Sequence, residues 1–280
     1  MIKKIVFASC LFSIVACEVE GVKKEATKAD IPSIKKEITA FNSDDLDVVS
    51  TEKYPNGIAI SWMEKGKGES ISKGDVVLID YKVTLKNGTV VDGNHLLNKP
   101  NFPFMVGFEM QTKGWEFAVS KLKVGDFARV QIPGNLARGE KGIKGLIPPN
   151  AVNYLTIRIL EKMKPTRTVD GIKVWLLEEN KANKVTFDDK NMVTFHSMIS
   201  SESHPMFFNS FRSNQPFMLK STDKGVIKGL LKALKKSKKA DRMYIYIPSS
   251  QAYGEQGLAE FVNPNESMFY NVLVMDVNKN

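Results

Sequence analysis

IPGNLARGEKGIKGLIPPN, residues 132–150, is the most informative stretch of the chain, because residues 247–265 repeat it as IPSSQAYGEQGLAEFVNPN. The residues common to both versions all lie 115 positions apart: an Ile-Pro pair, an alanine, a Gly-Glu pair, a further glycine, a proline and an asparagine. Lys113-Gly114 returns as Lys228-Gly229 at the same spacing. This period is too long for a solenoid repeat and has the size of a small domain. The sequence therefore predicts two tandem copies of one domain.

Weaker repeats extend this pairing toward the start of each copy. Gly57-Ile58 matches Gly171-Ile172 at an offset of 114, and Phe104-Met105 matches Phe217-Met218 at an offset of 113. We interpret the drift in offset as small insertions and deletions in loops.

The 280 residues suffice for two domains, taking roughly 100–200 residues per domain. The boundary is predicted near Lys164-Pro165, where one strand pattern ends. We expect a signal peptide at 1–16, a charged spacer at 17–45, domain 1 at 46–164 and a more divergent domain 2 at 165–280.

Strand patterns dominate each copy. Residues 76–83 form a β-rich run after Gly74, and Asn87-Gly88 between apolar runs predicts a hairpin with a type I′ turn. Further strands are predicted at 127–132, 151–160, 191–199, 243–247 and 267–276.

Each copy also contains one helical pattern with a single apolar face. These faces consist of Trp115, Ala118, Val119 and Leu122 in the first copy, and Ile227, Leu230, Leu231 and Leu234 in the second. One helix cannot cover both faces of a sheet. The predicted fold class is therefore α+β, with each domain a curved antiparallel β-sheet wrapped on one short α-helix.

The first 17 residues have the pattern of an export signal. Lys3 and Lys4 precede an apolar run at 5–16, which is too short to span a membrane and ends at Cys17. This ending resembles the bacterial lipobox, which implies lipidation at Cys17 and discarding of Cys10; a plain secretory signal is the alternative. We expect an exported protein, lipid-anchored to a bacterial membrane at the periplasmic face or the cell surface.

The formal net charge of +9 suits an anionic surface or partner. Nucleic acid is not expected as a partner of an exported protein. Six lysines surround the second helix and predict either a solvated face or a contact with anionic lipid head groups: Lys228, Lys232, Lys235, Lys236, Lys238 and Lys239. The three histidines lack ligand spacing, so no metal and no cofactor are expected.

Taken in order, these motifs resemble the FKBP family of peptidyl-prolyl cis/trans isomerases. The first copy carries them as Asp80-Tyr81, Val91-Asp92, Phe102-Pro103-Phe104, Lys113-Gly114-Trp115, Ile132-Pro133, Ala137-Arg138-Gly139 and Gly145-Leu146-Ile147-Pro148-Pro149. The second copy is weaker and carries Phe208-Asn209, Phe217-Met218, Val226-Ile227-Lys228-Gly229, Ile247-Pro248 and Ala252-Tyr253-Gly254.

The resemblance implies an apolar cleft between helix and sheet in each copy. In the first copy it implies catalytic positions at Tyr81, Asp92, Phe102, Trp115 and Ile147, and substrate-binding positions at Val91, Thr112, Arg138 and Leu155. In the second copy it implies a lining of Phe195, Phe208, Phe217, Val226, Ile227, Leu230, Tyr253, Val262 and Tyr270.

Neither copy matches the family pattern completely. The first has Val91 where the family has Phe, Gln111-Thr112 where it has Val-Ile, and Arg138 where it has Tyr. The second keeps Phe208, Val226-Ile227 and Tyr253, and it has Asn209, Leu230 and Asn263 where the family has Asp, Trp and Pro.

Three functions remain open at this point. The resemblance favours catalysis of X-Pro isomerisation in proline-containing unfolded or exported polypeptides, with the first copy slightly preferred as the active one. The substitutions favour instead a peptide-binding or holdase chaperone without turnover. A surface adhesin is a third, weaker alternative.

Overall fold

The computed structural model describes residues 47–279. The predicted signal peptide, the lipidation at Cys17 and the spacer up to residue 45 lie outside the described residues. Two antiparallel sheets of seven strands each form the frame, one on either side of Lys164-Pro165. The predicted α+β class with two tandem domains is confirmed.

The sheet of domain 1 has the strand order β1-β2-β6-β7-β3-β4, with β5 added on β3. Its elements are β1 (Ser50–Lys53), β2 (Ala59–Glu64), β3 (Val76–Thr84), β4 (Val90–Gly93), β5 (Phe102–Met105), α1 (Lys113–Lys121), β6 (Phe127–Ile132) and β7 (Asn153–Met163). Short 3₁₀ turns at Asn94–Leu97, Gly134–Leu136 and Gly139–Lys141 lie in the connections.

The sheet of domain 2 repeats this topology as β11-β10-β14-β13-β9-β8, with β12 added on β10. Its elements are β8 (Arg167–Val169), β9 (Ile172–Glu178), β10 (Asn191–Ser201), β11 (Phe208–Asn209), α2 (Ser210–Ser213), β12 (Phe217–Lys220), α3 (Lys228–Leu234), β13 (Arg242–Ile247) and β14 (Met268–Lys279). A 3₁₀ turn at Ser249–Gln251 follows β13.

The repeated Lys-Gly pair has a packing reason. A Cβ on Gly114 would lie 2.3 Å from Ile132 Cγ2, and one on Gly229 would lie 2.4 Å from Ile247 Cγ2. Each helix therefore approaches its sheet more closely than any other residue would permit. This contact sets the depth of the space between helix and sheet, where the predicted clefts lie.

The β3–β4 hairpin forms, but its turn differs from the type I′ expectation. Gly88 alone has positive φ, at 83°, and its N–H donates to the Leu85 carbonyl at 3.0 Å. A type I′ turn requires positive φ at both central residues, and Asn87 does not have it. The turn spans Leu85 to Gly88, with the glycine as its last residue.

Aromatic rings join the two domains. Phe108 packs at 5.6 Å from Phe269 and 6.1 Å from Tyr246 between ring centroids, and Tyr244 meets Phe269 edge-on at 5.1 Å. The Tyr244 hydroxyl donates to the carbonyl of Pro103 on β5 at 3.3 Å. Because Phe108, Tyr244 and Phe269 are buried together with the core of domain 1, this interface behaves as packed core and fixes the relative position of the domains.

Polar contacts surround this aromatic interface. The Trp175 indole N–H donates to the Met163 carbonyl at 2.9 Å, Lys99 pairs with Glu178 at 3.1 Å, and Lys73 pairs with Glu202.

Candidate functional site

Three predicted aromatic site residues of domain 1 converge between α1 and the sheet. Tyr81 on β3 meets Trp115 of α1 edge-on at 4.9 Å and Phe102 of β5 edge-on at 5.9 Å between ring centroids. Phe104 stacks against Trp115 at 6.0 Å. Tyr81, Phe102 and Trp115 are 2%, 8% and 3% exposed, so together they form an enclosed aromatic cluster.

The polar members of this cluster are Tyr81 and Asp92. The Tyr81 hydroxyl donates to Asp92 Oδ1 at 3.1 Å, and the Gly93 N–H donates to the same oxygen at 2.8 Å. Burial, and then the charge of Asp92, raise the pKa of Tyr81 well above its usual range. The phenol therefore stays protonated and holds the carboxylate in one orientation at the edge of the rings.

Arg138 lies beside this pair. Its Nη2 donates to Gln111 Oε1 at 3.1 Å. Burial lowers the pKa of Arg138, while the nearby charge of Asp92 opposes that shift. The arginine side chain thus brings a cation to the cleft at the position where domain 2 has Tyr253.

The other predicted positions of domain 1 lie around the same cluster. Val91, Ile147 and Leu155 are buried in the core that contains Tyr81 and Trp115. Thr112 is the N-cap of α1, and its Oγ1 is buried without a hydrogen-bond partner among the described residues.

Domain 2 has an open apolar cavity at the corresponding place. Its volume is ≈ 180 Å³, and its walls are Phe195, Ile199, Phe217, Leu219, Gly225, Val226, Ile227, Leu230, Tyr253 and Tyr270. Leu230 takes the place of Trp115 on the helix, so a smaller side chain borders this cavity than the indole at the same point of domain 1. Burial raises the pKa of Tyr253 and Tyr270, so both phenols stay protonated.

Two of the residues predicted to line domain 2 lie outside this wall. Phe208 contacts Phe217 from the rim at 5.2 Å between centroids and is 42% exposed. Val262 is buried in the same core without lining the cavity.

Strand pairing revises the residue equivalences expected between the copies. Val83 pairs with Leu155 on β7, and Ile199 pairs with Tyr270, which lies 115 positions further along on β14. Val83 and Ile199 therefore occupy the same point of the two sheets. Two residues earlier, Ser197 occupies the point of Tyr81. Because Asp92 pairs with Val83 and Phe208 pairs with Ile199, Phe208 occupies the position of Asp92. The expectation that Asn209 replaces the aspartate is therefore wrong.

Asn209 has a different role, as the N-cap of α2. Its Oδ1 accepts a hydrogen bond from the Phe211 N–H at 3.0 Å. The matched pairing of Ile79 with Phe102 and of Phe195 with Phe217 also puts Phe217 in the place of Phe102. The sequence match of Phe104 with Phe217, at an offset of 113, is therefore wrong by two residues.

Sequence reasoning missed one residue in each domain that holds the strand beneath the cleft by a hydrogen bond. Asn94 Oδ1 accepts from the Tyr81 N–H, and Ser210 Oγ accepts from the Ser197 N–H, both at 2.8 Å. Each is a buried polar residue that follows β4 or β11 directly, which is the one signal that the sequence offers.

Glu116 on α1 lies next to the cluster and carries a perturbed carboxyl. It accepts a hydrogen bond from the Gly107 N–H, while its Oε2 is buried without a partner among the described residues. Burial raises the pKa of Glu116 to about 7. Leu231 occupies the corresponding position of α3, so domain 2 has no such group.

The lysine-rich face around α3 is largely neutralised by ion pairs. Four of its six lysines have acidic partners: Lys232 with Asp170 at 2.6 Å, Lys235 with Asp189 at 3.1 Å, Lys238 with Glu179 at 2.6 Å and Lys239 with Asp276 at 3.5 Å. These pairs favour the interpretation of a solvated helix face over one of lipid contact.

Within residues 47–279, no helix has the length and apolarity needed to cross a membrane. The same residues contain no group of three or more His, Cys, Asp or Glu side chains placed to hold a metal ion.

Comparison with known proteins finds one family in both domains. The model of the family FKBP_C, FKBP-type peptidyl-prolyl cis-trans isomerase, matches residues 67–160 and 183–275. FK506-binding protein 1 of Candida glabrata is 38% identical over 112 residues, covering 40% of this chain and 97% of the yeast protein. FK506-binding protein 1 of Saccharomyces cerevisiae is 36% identical, with the same coverage of both chains. Peptidyl-prolyl cis-trans isomerase FKBP53 of Arabidopsis thaliana is 32% identical over 139 residues, 49% of this chain and 26% of the plant protein.

Proposed function

The chain belongs to the FKBP-type peptidyl-prolyl cis-trans isomerase family, and we propose that its domain 1 isomerises X-Pro bonds to assist the folding of exported polypeptides. The convergence of Tyr81, Phe102 and Trp115 with Asp92 carries this proposal. Domain 2, with its open cavity, holds the client chain.

The chemistry needs no nucleophile. Amide resonance keeps the peptide bond planar, with a barrier of about 18–20 kcal/mol. Twisting the bond moves charge from the carbonyl oxygen back to the proline nitrogen, so the twisted amide is less polar than the planar one. A site that excludes water therefore disfavours the planar amide more than the twisted one, which lowers the barrier.

The residues of domain 1 supply what this mechanism needs. The rings of Tyr81, Phe102 and Trp115 provide an apolar wall for the pyrrolidine ring, and Ile147 closes the same core. The ordered Asp92 carboxylate and the Arg138 guanidinium at the edge hold the polar backbone on either side of the proline.

A direct test measures cis/trans exchange in a Leu-Pro peptide by NMR exchange spectroscopy with the full chain. Asp92→Ala leaves the Tyr81 hydroxyl without its acceptor, and we expect catalysis to fall about tenfold, the effect of losing a hydrogen bond to a charged group. Phe208→Ala, at the equivalent point of domain 2, serves as the matched control and should leave exchange unchanged. No acceleration by the wild-type chain would rule out the isomerase.

A holdase role for domain 2 is the second candidate, and exposed apolar side chains around its cavity favour it. Phe208 and Phe261 are 42% and 39% exposed, and Phe207 stacks on Phe261 at 5.4 Å. Such a patch on a domain surface is typical of a site that binds another chain. Phe208→Ala should weaken the suppression of client aggregation while exchange catalysis persists.

We also propose that the chain is exported and tethered through a lipid on Cys17. The charged, apolar and cysteine segments at 1–17 support this proposal. Metabolic labelling with radioactive palmitate should mark the wild-type protein and not Cys17→Ser; equal labelling of both would contradict the tether.

A further inference from the structure

The same loop borders both clefts. It runs over residues 139–146 in domain 1 and 254–261 in domain 2, and we call it the rim loop. Residue 150 donates its N–H to the Gly139 carbonyl at 2.8 Å, and residue 265 does the same to Gly254. The N–H of Ile143 donates to the Ile147 carbonyl at 2.7 Å, as Leu258 does to Val262 at 2.8 Å.

A glycine inside the rim loop explains why both copies close in the same way. A Cβ on Gly142 would lie 2.2 Å from the Ile147 carbonyl oxygen, and one on Gly257 would lie 2.3 Å from that of Val262. Only glycine permits this approach, so each loop folds back on itself against the buried residue that follows it. In domain 1 the loop is flanked by Arg138, beside Gln111, and by the buried Ile147. In domain 2 it is flanked by Tyr253, which lines the cavity, and by Val262, which is buried in the same core.

The two rim loops carry opposite charge. In domain 1, Lys141 and Lys144 against Glu140 leave 2 − 1 = +1, and the adjacent Arg138 is balanced by the Asp92 carboxylate beside it. In domain 2, Glu255 and Glu260 give −2, without a basic residue in the loop. The five loop side chains are all exposed, and none has an ion pair among the described residues.

The segment directly ahead of each helix does not cancel this difference. In domain 1 it carries Glu109 and Lys113, which balance, and in domain 2 it carries Lys224 and Lys228 against Asp223, which leave 2 − 1 = +1. The rim loop therefore remains the more acidic part of domain 2 and the more basic part of domain 1. A charged side chain of a client is attracted or repelled according to which loop it reaches.

We propose that the rim loops sort clients by charge: the cleft of domain 1 selects proline segments whose residues at the rim loop are acidic, and that of domain 2 selects segments whose residues there are basic. This inference rests on the proposed binding of proline segments in the two clefts. It adds the substrate class of each cleft, set by Lys141 and Lys144 on one side and by Glu255 and Glu260 on the other.

The test uses the full chain and fluorescein-labelled Leu-Pro peptides that are neutral or carry two Glu or two Lys residues, placed before or after the proline. Affinity is measured by fluorescence anisotropy and turnover by NMR exchange. Lys141→Glu/Lys144→Glu reverses the loop of domain 1, and Glu255→Lys/Glu260→Lys reverses that of domain 2. Lys53→Glu/Lys67→Glu, at exposed sites of domain 1 outside the rim loop, is the control for net charge.

We expect Lys141→Glu/Lys144→Glu to weaken binding of the acidic peptide about three- to tenfold in one of the two placements, the effect of two exposed charge pairs. Glu255→Lys/Glu260→Lys should weaken binding of the basic peptide to a similar extent. Binding of the neutral peptide should not change, and 1 M salt should remove the differences.

Charge-independent affinities in all variants would overturn the inference, as would an equal effect of the control pair. Charge-selective binding without accelerated exchange would contradict the isomerase function and leave the sorting intact. Accelerated exchange of the neutral peptide without charge preference would contradict the sorting and leave the isomerase function intact. Failure of every peptide to bind would contradict both.

Discussion

The clefts of domain 1 and domain 2 occupy the same place in the same strand topology, yet one is bordered by an indole ring and the other by a leucine side chain. Trp115 contacts Tyr81 at 4.9 Å in domain 1, whereas Leu230 borders a cavity of ≈ 180 Å³ in domain 2. The two clefts therefore differ in the size and shape of the side chain at this helix position.

The polar groups diverge in the same way. The hydrogen-bonded Tyr81 and Asp92 of domain 1 correspond to Ser197 and Phe208 of domain 2. The duplication thus preserves the frame and the strand anchors, while the groups that face a client differ. The comparison leads us to assign catalysis to domain 1 and holding to domain 2, and the following experiments would break or sharpen that assignment.

The largest expected effect comes from removing the indole of domain 1. Trp115→Ala should lower the free energy of unfolding by about 3–5 kcal/mol and abolish exchange catalysis, because a buried aromatic side chain leaves a large void. Leu230→Ala should cost less, about 2 kcal/mol, because Leu230 already borders empty space. Urea denaturation followed by circular dichroism measures both, and equal costs would contradict the difference in packing.

Filling the hollow of domain 2 should have the next largest effect. Leu230→Trp places a ring in the cavity, and we expect about a tenfold loss of affinity for unfolded client with no change in Leu-Pro exchange. Met275→Trp adds a tryptophan on the exposed side of β14 and serves as the control. If exchange falls with Leu230→Trp, domain 2 contributes to catalysis and the assignment is wrong.

Glu116 should give the stability of domain 1 a pH dependence that has no counterpart at Leu231 of domain 2. Burial raises the pKa of Glu116 from the usual 4.5 to about 7 in the folded chain, so between these values the folded state binds more protons than the unfolded state. The free energy of unfolding should therefore fall by about 1–2 kcal/mol as pH rises from 4.5 to 7 and beyond, allowing for screening by solvent.

Glu116→Gln should remove that dependence, and the exposed Glu140→Gln should retain it. Urea denaturation at pH 5 and pH 8 measures the difference. If the free energy of unfolding of Glu116→Gln still falls between pH 5 and pH 8, another group causes the pH dependence.

The smallest effect is expected at the tyrosine hydroxyls. Tyr81→Phe keeps the ring and removes the donor to Asp92, which should slow exchange several-fold, corresponding to about 0.5–1.5 kcal/mol for one hydrogen bond. Tyr253→Phe, at the wall of the domain 2 cavity, should leave exchange at the wild-type rate. Equal slowing by both variants would place catalysis in both clefts.

The fold could be predicted from the sequence because its determinants are local or repeated. The apolar faces around Trp115 and Leu230 predict the two helices, and both helices are observed there. The recurring Lys-Gly and Ile-Pro pairs predict two equivalent domains, and the close contact of Gly114 with Ile132 gives the physical reason for the repeat.

The register between the copies could not be predicted. Side chains in a strand alternate with a period of two, so matching Phe217 to Phe104 instead of Phe102 keeps every residue on its own face. The error at Phe208 has another origin: Phe208-Asn209 matches Val91-Asp92 by residue type, whereas its pairing with Ile199 and Met198 places it one residue further along. Pairing over such distances is set by tertiary contacts, which the local pattern does not contain.

The aromatic interface between the domains has a consequence for clients with more than one proline. Phe108, Phe269 and the bond from Tyr244 to Pro103 hold the two clefts at a constant distance, and Pro103 sits on the strand that carries Phe102. For a polypeptide that occupies both clefts, the second contact becomes intramolecular, and avidity rises only when the spacing of its prolines matches that distance. The aromatic interface would then select clients by the spacing of their prolines.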